Sequence, residues 1–310
     1  MGIISEQIDR LEPAMLQFGE ALGGSPDSVK DLPFSEEADK DGMPEALYVR
    51  HDQAMIHNLT VALLNGHHVG LISSYGTGKT ALREIVRRDL GEHPEFVIGY
   101  LDNAHETTPR GLYATVIRAA LDADYDLDAD EYRQLREGVP WVTDEAKAAV
   151  RDLAEQVEAD DRTLSLVVDE IEDFPTELLP VLQTVADAGV RLFLMGTPAG
   201  QDRLEEARDT LDSRIRYHEG IKPFDHEDVA EYAARSLTYF RGEEFNGQGP
   251  SPFTEDAIEV IHERTDGNPR DVRLECADTL AKAAIAWHQN EHDVEDFQID
   301  RRLVTSTVTS

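Results

Sequence analysis

The sequence predicts an α/β fold: a P-loop NTPase-type parallel sheet with helices on both faces, followed by a small all-α lid domain. Three observations predict it. Short apolar runs alternate with runs of helical spacing from about Leu47 to Phe224. Those short runs are apolar at successive positions, as in strands covered on both faces rather than one. Finally, a glycine-rich turn, Ser73–Thr80 (SSYGTGKT), stands between such a strand and a helix. That junction is the context a phosphate-binding loop requires.

The elements follow in order. Residues 1–45 are polar and acidic, with one amphipathic segment near Leu11–Leu22 and a turn-rich GGSPDS, and read as an N-terminal extension. QAMIHNLTVALL has helical spacing, and HHVGLISS is the apolar strand that enters the loop. TALREIVRRDL then sets Leu82, Ile85, Val86 and Leu90 on one helical face. EFVIGYLDN is a second strand, and PRGLYATVIRAAL is a helix opened by Pro109. An acidic stretch, Asp122–Asp130, is expected to be solvated, and a longer helix covers Asp144–Glu158. LSLVVDE is an apolar strand ending in two carboxylates, and VRLFLMGT is another buried strand. Between them ELLPVLQTVADAG is a helix that Pro180 is expected to bend or shorten.

After Phe224 only helices are expected. Asp225 can N-cap HEDVAEYAARSLTYF, with Asp228 favourably placed at the positive helix end. Thr254 can cap EDAIEVIHERT, and Pro269 suits the first position of RDVRLECADTLAKAAIAW. The organisation expected is therefore an extension over 1–45, a nucleotide-binding α/β domain over 46–223, a helical lid over 224–292 and a frayed tail over 293–310.

Charge is the odd feature of the composition. Twenty-nine basic against 63 acidic residues give a net of −34, and only six of the basic residues are lysines. So large an excess repels itself in dilute buffer. At molar salt, where the Debye length is roughly 3 Å, the repulsion is screened. The reading that follows is a cytoplasmic protein of a salt-in halophile; the other reading is a binder of basic partners. Against such a background, acidity neither supports nor excludes DNA. Cys276 is the sole cysteine, which excludes an intrachain disulfide and a cysteine-based zinc site, and its alanine-rich helical setting suits a buried inert thiol. No apolar stretch approaches the roughly 18 residues of a membrane span, and the N-terminus lacks a signal-peptide pattern. A soluble, cytoplasmic protein is expected.

Five motifs carry chemistry. In the loop, Gly76 and Gly78 let backbone N–H groups turn inward as an anion nest, and the following helix adds its positive end. Lys79 would reach the β- and γ-phosphates of ATP, and the Thr80 hydroxyl would bind Mg2+. The other reading is a chance GKT, since Ser73 stands where the pattern has glycine. Asp169 and Glu170 close LVVDE, the first suited to hold Mg2+ through water and the second to polarise the attacking water. Glu172 and Asp173 read as solvated loop residues. Thr197 ends VRLFLMGT, where it either orients water or simply closes a strand. In LDSRIRY, Arg214 and Arg216 follow an acidic helix, and either an arginine projects to a neighbour's γ-phosphate or it pairs with nearby glutamates. In GNPR, Arg270 lies in the first turn of a lid helix, to reach the phosphates or to pair with Asp266 or Asp271.

In this order the motifs resemble those of the AAA+ ATPases, over roughly residues 47–290. Within that superfamily the chain is most similar to the archaeal origin-recognition initiators and their secretion and transposition ATPase relatives, through EFVIGYLDN, IKPFDHEDVAEYA and FTEDAIEVIHERTDGNPRDV. The resemblance implies that Gly76, Thr77, Gly78, Lys79, Thr80 and Ala81 bind nucleotide and that Thr80 and Asp169 serve Mg2+. It further implies Glu170 as the water-activating residue, Thr197 in the first sensor position, Arg214 as arginine finger and Arg270 as second sensor.

Two departures stand out. Ser73 replaces glycine but is small enough for the turn. After the lid only about 20 residues remain, too few for the winged-helix DNA-binding domain of the initiators, so site-specific origin recognition is not expected. The function expected is an ATP-hydrolysing, Mg2+-dependent switch or remodeller in a DNA replication or recombination assembly. The alternative is a nucleotide-dependent adaptor with little turnover. Partners expected are further protein subunits, self-association through the arginine finger among them; the sequence shows no dedicated DNA-binding domain and leaves DNA contact through base-domain loops open.

Overall fold

The computed structural model describes residues 3–35, 43–101, 104–128, 130–132, 135–136, 138–140, 142–290 and 297–306. In chain order its elements begin with α1 (Ile3–Ala21), α2 (Gln53–Leu64), β1 (His68–Ile72), α3 (Lys79–Gly91), β2 (Phe96–Leu101) and α4 (Pro109–Asp122). A short hairpin of β3 (Leu135–Arg136) and β4 (Val139–Pro140) precedes α5 (Thr143–Ala159), β5 (Thr163–Val168), α6 (Leu179–Asp187), β6 (Arg191–Gly196), α7 (Pro198–Asp212) and β7 (Ile215–Glu219). Last come α8 (His226–Phe240), α9 (Glu255–Thr265), α10 (Pro269–Asn290) and α11 (Arg301–Thr305). The chain divides into two compact units. One comprises Asp52–Tyr75 and Leu82–Ile221; the other comprises Met1–His51, Gly76–Ala81 and Lys222–Ser310.

The first unit is built on a five-stranded parallel sheet of order β2-β5-β6-β1-β7. The uninterrupted apolar runs are explained by its two cores. Leu166 and Val168 of β5 and Leu192 and Leu194 of β6 face one core with residues of α4, α5 and α6. Val167, Phe193 and Met195 face the other, with Val69 and Leu71 of β1 and residues of α2 and α3. Each such side chain removed from water contributes about 1.5–3 kcal/mol, and a slip by one position would exchange the two cores. Pro180 does not bend a helix: α6 starts at Leu179, so the ring lies in the first turn, where no N–H is missed. The strand β7 has no counterpart among the sequence expectations. Only Ile215 is buried in IRYHE, the edge strand beside β1, and its other side chains are partly or fully exposed.

The second unit is helical and has its own core. Asp225 caps α8 as expected: its carboxylate accepts the N–H groups of Glu227 and Asp228, while Asp228 accepts that of Asp225. Thr254 does not cap α9 with its side chain; its hydroxyl donates to the Ile299 carbonyl at 3.0 Å. The expectation of a frayed tail over 293–310 is corrected for its described part. Ile299 and Val304 are fully buried, Ile299 bridges Phe253, and Arg264 Nη1 donates to the Val304 carbonyl at 3.0 Å. The segment expected as an extension likewise joins this core, with Phe18 of α1 against Trp287 and Phe297 at ring separations of 5.6 and 5.7 Å. Cys276 is fully buried here, and burial pushes its thiol well up, as suits an inert side chain. Among the described residues no helix is long and apolar enough to cross a membrane.

Candidate functional site

The sheet unit brings the carboxylates to the edge where β1 ends. Val168, Leu194 and Gly70 share one row across β5, β6 and β1, and Asp169 and Glu170 follow directly beyond that row. Asp169 is mostly covered, its side chain 11% exposed. Its Oδ1 accepts the Glu170 N–H at 2.9 Å, and its Oδ2 accepts Arg83 Nη1 at 2.9 Å. Arg83 in turn grips Glu84 Oε1 through Nε and Nη2, at 3.0 and 2.8 Å. Glu170 sits at φ 55°, a left-handed turn unusual for this residue, and its side chain is exposed. Partial desolvation, then the carboxylates of Asp169, Asp173 and Glu172, raise its carboxyl above the ordinary value.

The turn is fastened to β6 and α7. Ile171 N–H donates to the Met195 carbonyl at 3.0 Å, and Thr197 N–H donates to Glu172 Oε2 at 3.0 Å. Glu172 is therefore half-buried and bonded, not the solvated residue its place in an acidic run suggested. It also lies beside the Tyr75 phenol, which it raises above its ordinary value. Gly196 permits this approach, since a Cβ there would meet Ile171 Cγ2 at 2.3 Å and Glu172 Oε2 at 2.7 Å. From α7, Arg203 donates to the carbonyls of Glu172 and Phe174 and to the Thr176 hydroxyl. Thr197 itself is buried at the start of α7 and makes no side-chain cap there.

Ser73 has a use that the pattern alone does not reveal. It is buried, its N–H donates to the Gly196 carbonyl at 3.0 Å, and its Oγ accepts the Ile221 N–H at 3.3 Å. The first loop position is thus wedged between the ends of β6 and β7, where a small side chain with an acceptor fits.

Arg214 lies at the opposite edge of the sheet, one residue before Ile215, which is paired with His68 at the start of β1. Its Nη1 meets Asp187 Oδ1 at 2.6 Å, with both side chains about half exposed. The partner is an aspartate of α6 rather than one of the nearby glutamates. Arg216 follows in β7.

The loop residues Gly76–Ala81 group with the helical unit. Gly76 and Gly78 take φ of 81° and 93°, which L side chains rarely adopt, and α3 opens at Lys79. Gly76 lies against the start of α10: its carbonyl accepts the Arg270 N–H at 3.3 Å, and a Cβ on it would meet Asn268 Oδ1 at 2.8 Å. Asn268 in turn caps this helix, its Oδ1 accepting the Arg270 N–H at 3.0 Å. Neither Asp266 nor Asp271 pairs with Arg270 among the ion pairs of the described residues.

The residues fit a nucleotide and a divalent cation on two observations: the paired left-handed glycines that open α3, and a covered Asp169 carboxylate already holding a cation, Arg83. Arg83, Glu172 and Arg203 were not anticipated. Apart from Glu84, the neighbour of Arg83, their partners lie far away in sequence, and only the repeated arginines and acids signalled them.

A parallel sheet with a glycine loop after β1 and acids after β5 defines the chain as a P-loop NTPase in fold. Residues 67–204 match the family model described as an AAA domain. The match includes the loop, Asp169, Glu170 and Thr197 but ends before Arg214 and Arg270. The ORC2 protein of Aeropyrum pernix, solved in ADPNP-ADP complexes, is similar at TM-score 0.53 and 14% identity, covering 86% of this chain and 68% of that one. Its ADP form is similar at TM-score 0.50 and 15% identity, over 86% of this chain and 70% of that one. In sequence, an uncharacterised HTH-type transcriptional regulator of Methanocaldococcus jannaschii is 27% identical over 139 residues, 42% of this chain and 33% of the relative. The match thus spans about a third of the length of that curated relative.

Proposed function

We propose that this chain is an ATP-hydrolysing AAA+ switch or remodeller. The observation that carries the reading is the left-handed pair Gly76 and Gly78 opening α3, within the same family match that contains Asp169 and Glu170. Lys79 and the N–H groups of residues 76–81 hold the phosphates, and Thr80 and Asp169 serve Mg2+. Bound Mg2+ supplies neutralisation of phosphate charge. Glu170 accepts a proton from the attacking water, and its turn, fastened by Ile171 and Glu172, keeps the carboxylate in place. Thr197 orients water, Arg270 senses the nucleotide from the start of α10, and Arg214 acts on the nucleotide of a second copy. The work is done on a protein–DNA assembly of replication or recombination type. This part rests on the fold shared with ORC2 and on a relative described as an HTH-type regulator. Its net charge of −34 suits a cytoplasm of high salt.

Glu170→Gln tests the reading in molar KCl: ATP binding persists and turnover is lost. Equal hydrolysis by variant and wild type would sink it. A second reading, an adaptor that binds ATP and scarcely turns it over, is favoured by Asp169 being engaged by Arg83 and Arg214 by Asp187. Single-turnover kinetics with partners and DNA added separates the two, since the adaptor keeps its nucleotide intact.

A further inference from the structure

The hydrogen bonds of Asp169 and Arg83 carry one step beyond this reading, and the step rests on it. We propose that Arg83 is a built-in counter-cation that occupies Asp169 before a divalent metal does, so that metal entry must displace it from Asp169 and leave it paired with Glu84 alone.

The geometry has three parts. Asp169 is nearly covered, with Oδ1 committed to the Glu170 N–H and Oδ2 to Arg83 Nη1. The carboxylate is therefore already neutralised, and a dication held to it, even through water, would stand close to the guanidinium and be repelled by it. Next, Arg83 already holds a second carboxylate: Glu84 Oε1 takes both its Nε and its Nη2. Loss of the single Nη1 bond to Asp169 leaves those two bonds made, so the guanidinium can leave Asp169 without becoming unpaired. Finally, the arginine side chain is about a quarter exposed, at 27%, and so has room to swing outward. An arginine suits this exchange because its fork serves two carboxylates at once, which an ammonium does less well. In effect the pair is a two-position latch: one position keeps a metal-free carboxylate satisfied, the other clears it.

The consequence is a raised metal requirement. Arg83→Gln removes the competitor, and the Mg2+ concentration at half-saturation of ATP binding should fall by about tenfold, within the usual range of coupling between two ligands. ATP binding in EDTA, which does not involve Asp169, should be unchanged. Glu84→Gln removes the second position and should raise the half-saturating Mg2+. Mn2+ binding followed by electron paramagnetic resonance gives the same comparison without turnover. Arg83→Lys, which keeps charge without the fork, should fall between wild type and Arg83→Gln and serves if the glutamine variant fails to fold by circular dichroism. An unchanged or raised Mg2+ requirement in Arg83→Gln would overturn the latch and leave the pair a structural tie. ATP that fails to bind wild type even at saturating Mg2+ would overturn the nucleotide reading itself, and the latch with it.

Discussion

Glu172 accepts the backbone N–H of Thr197 at 3.0 Å, tying the turn after β5 to the end of β6. Two residues before Glu172 the chain makes its left-handed turn at Glu170, and two residues after it Arg203 holds the Phe174 carbonyl. The exposed Glu170 carboxylate is thus carried by a loop whose backbone is fastened on both sides.

Glu172→Ala should loosen that turn. A hydrogen bond to a charged group contributes roughly 1.5–3 kcal/mol, and partial exposure places this one at the low end. Urea unfolding in high KCl should register a loss of about 1–2 kcal/mol, with a fall in ATP turnover. Glu172→Gln retains an acceptor oxygen and should recover most of both. An alanine variant as stable and active as wild type would show that the bond fastens nothing.

Ser73→Ala addresses the residue that departs from the usual loop pattern. Its Oγ accepts the Ile221 N–H at 3.3 Å in a buried setting. Removing the acceptor leaves that donor unsatisfied, at a cost of about 1–3 kcal/mol. Stability should fall while ATP affinity stays unchanged, both measured on the same protein by thermal unfolding and nucleotide titration. A loss of affinity without a loss of stability would assign the hydroxyl to the ligand instead.

Much of this was legible in the sequence because hydrophobic burial writes a local pattern. Strands β2, β5 and β6 are nearly continuous apolar runs since both faces of each meet a core, and β1 is buried at every position. The glycine pair and Asp169-Glu170 declare themselves by type and order. What stayed hidden is non-local. In β7 a single buried Ile215 among polar residues gives no alternation to read. Ile299 and Val304 sit among scattered apolar residues of a mostly polar tail with no period to read, and contacts with Phe253, α9 and α10 explain their burial. Arg83 and Asp169 lie 86 residues apart, and nothing in either neighbourhood names the other.

Arg214 is where two readings of one side chain diverge in the test tube. Its bond to Asp187 is short, at 2.6 Å, but both groups are about half exposed, and such pairs contribute about 0–1 kcal/mol. Arg214→Ala should therefore leave the unfolding curve nearly in place. If the guanidinium serves the nucleotide of a second copy, the same variant should lose the part of turnover that rises with protein concentration. Asp187→Ala, which frees the arginine, should keep or raise that part. Turnover in Arg214→Ala equal to wild type at every concentration would reduce Arg214 to its surface pair.

His68 opens β1, at the end of the strand opposite the acids. Its Nδ1 accepts the Leu192 N–H at 3.1 Å, so the folded chain requires that nitrogen unprotonated. Burial, aided by Arg191 and Arg214, lowers its pKa from the ordinary 6.5 to about 4. The unfolded chain therefore binds this proton more readily than the folded one, and stability is lost as pH falls from about 6.5 to about 4. The slope from this one group approaches 1.4 kcal/mol per pH unit in mid-window at most, about one proton's worth. Above that window the contribution is complete; below it both states are protonated and no further change follows. His68→Asn keeps an acceptor for the Leu192 N–H and removes the titration. The difference in urea stability, wild type minus variant, should be level above neutrality and decline through the window, whatever the many carboxylates do in common to both. A difference that stays level down to the acid end would mean that the imidazole takes up its proton without leaving the fold.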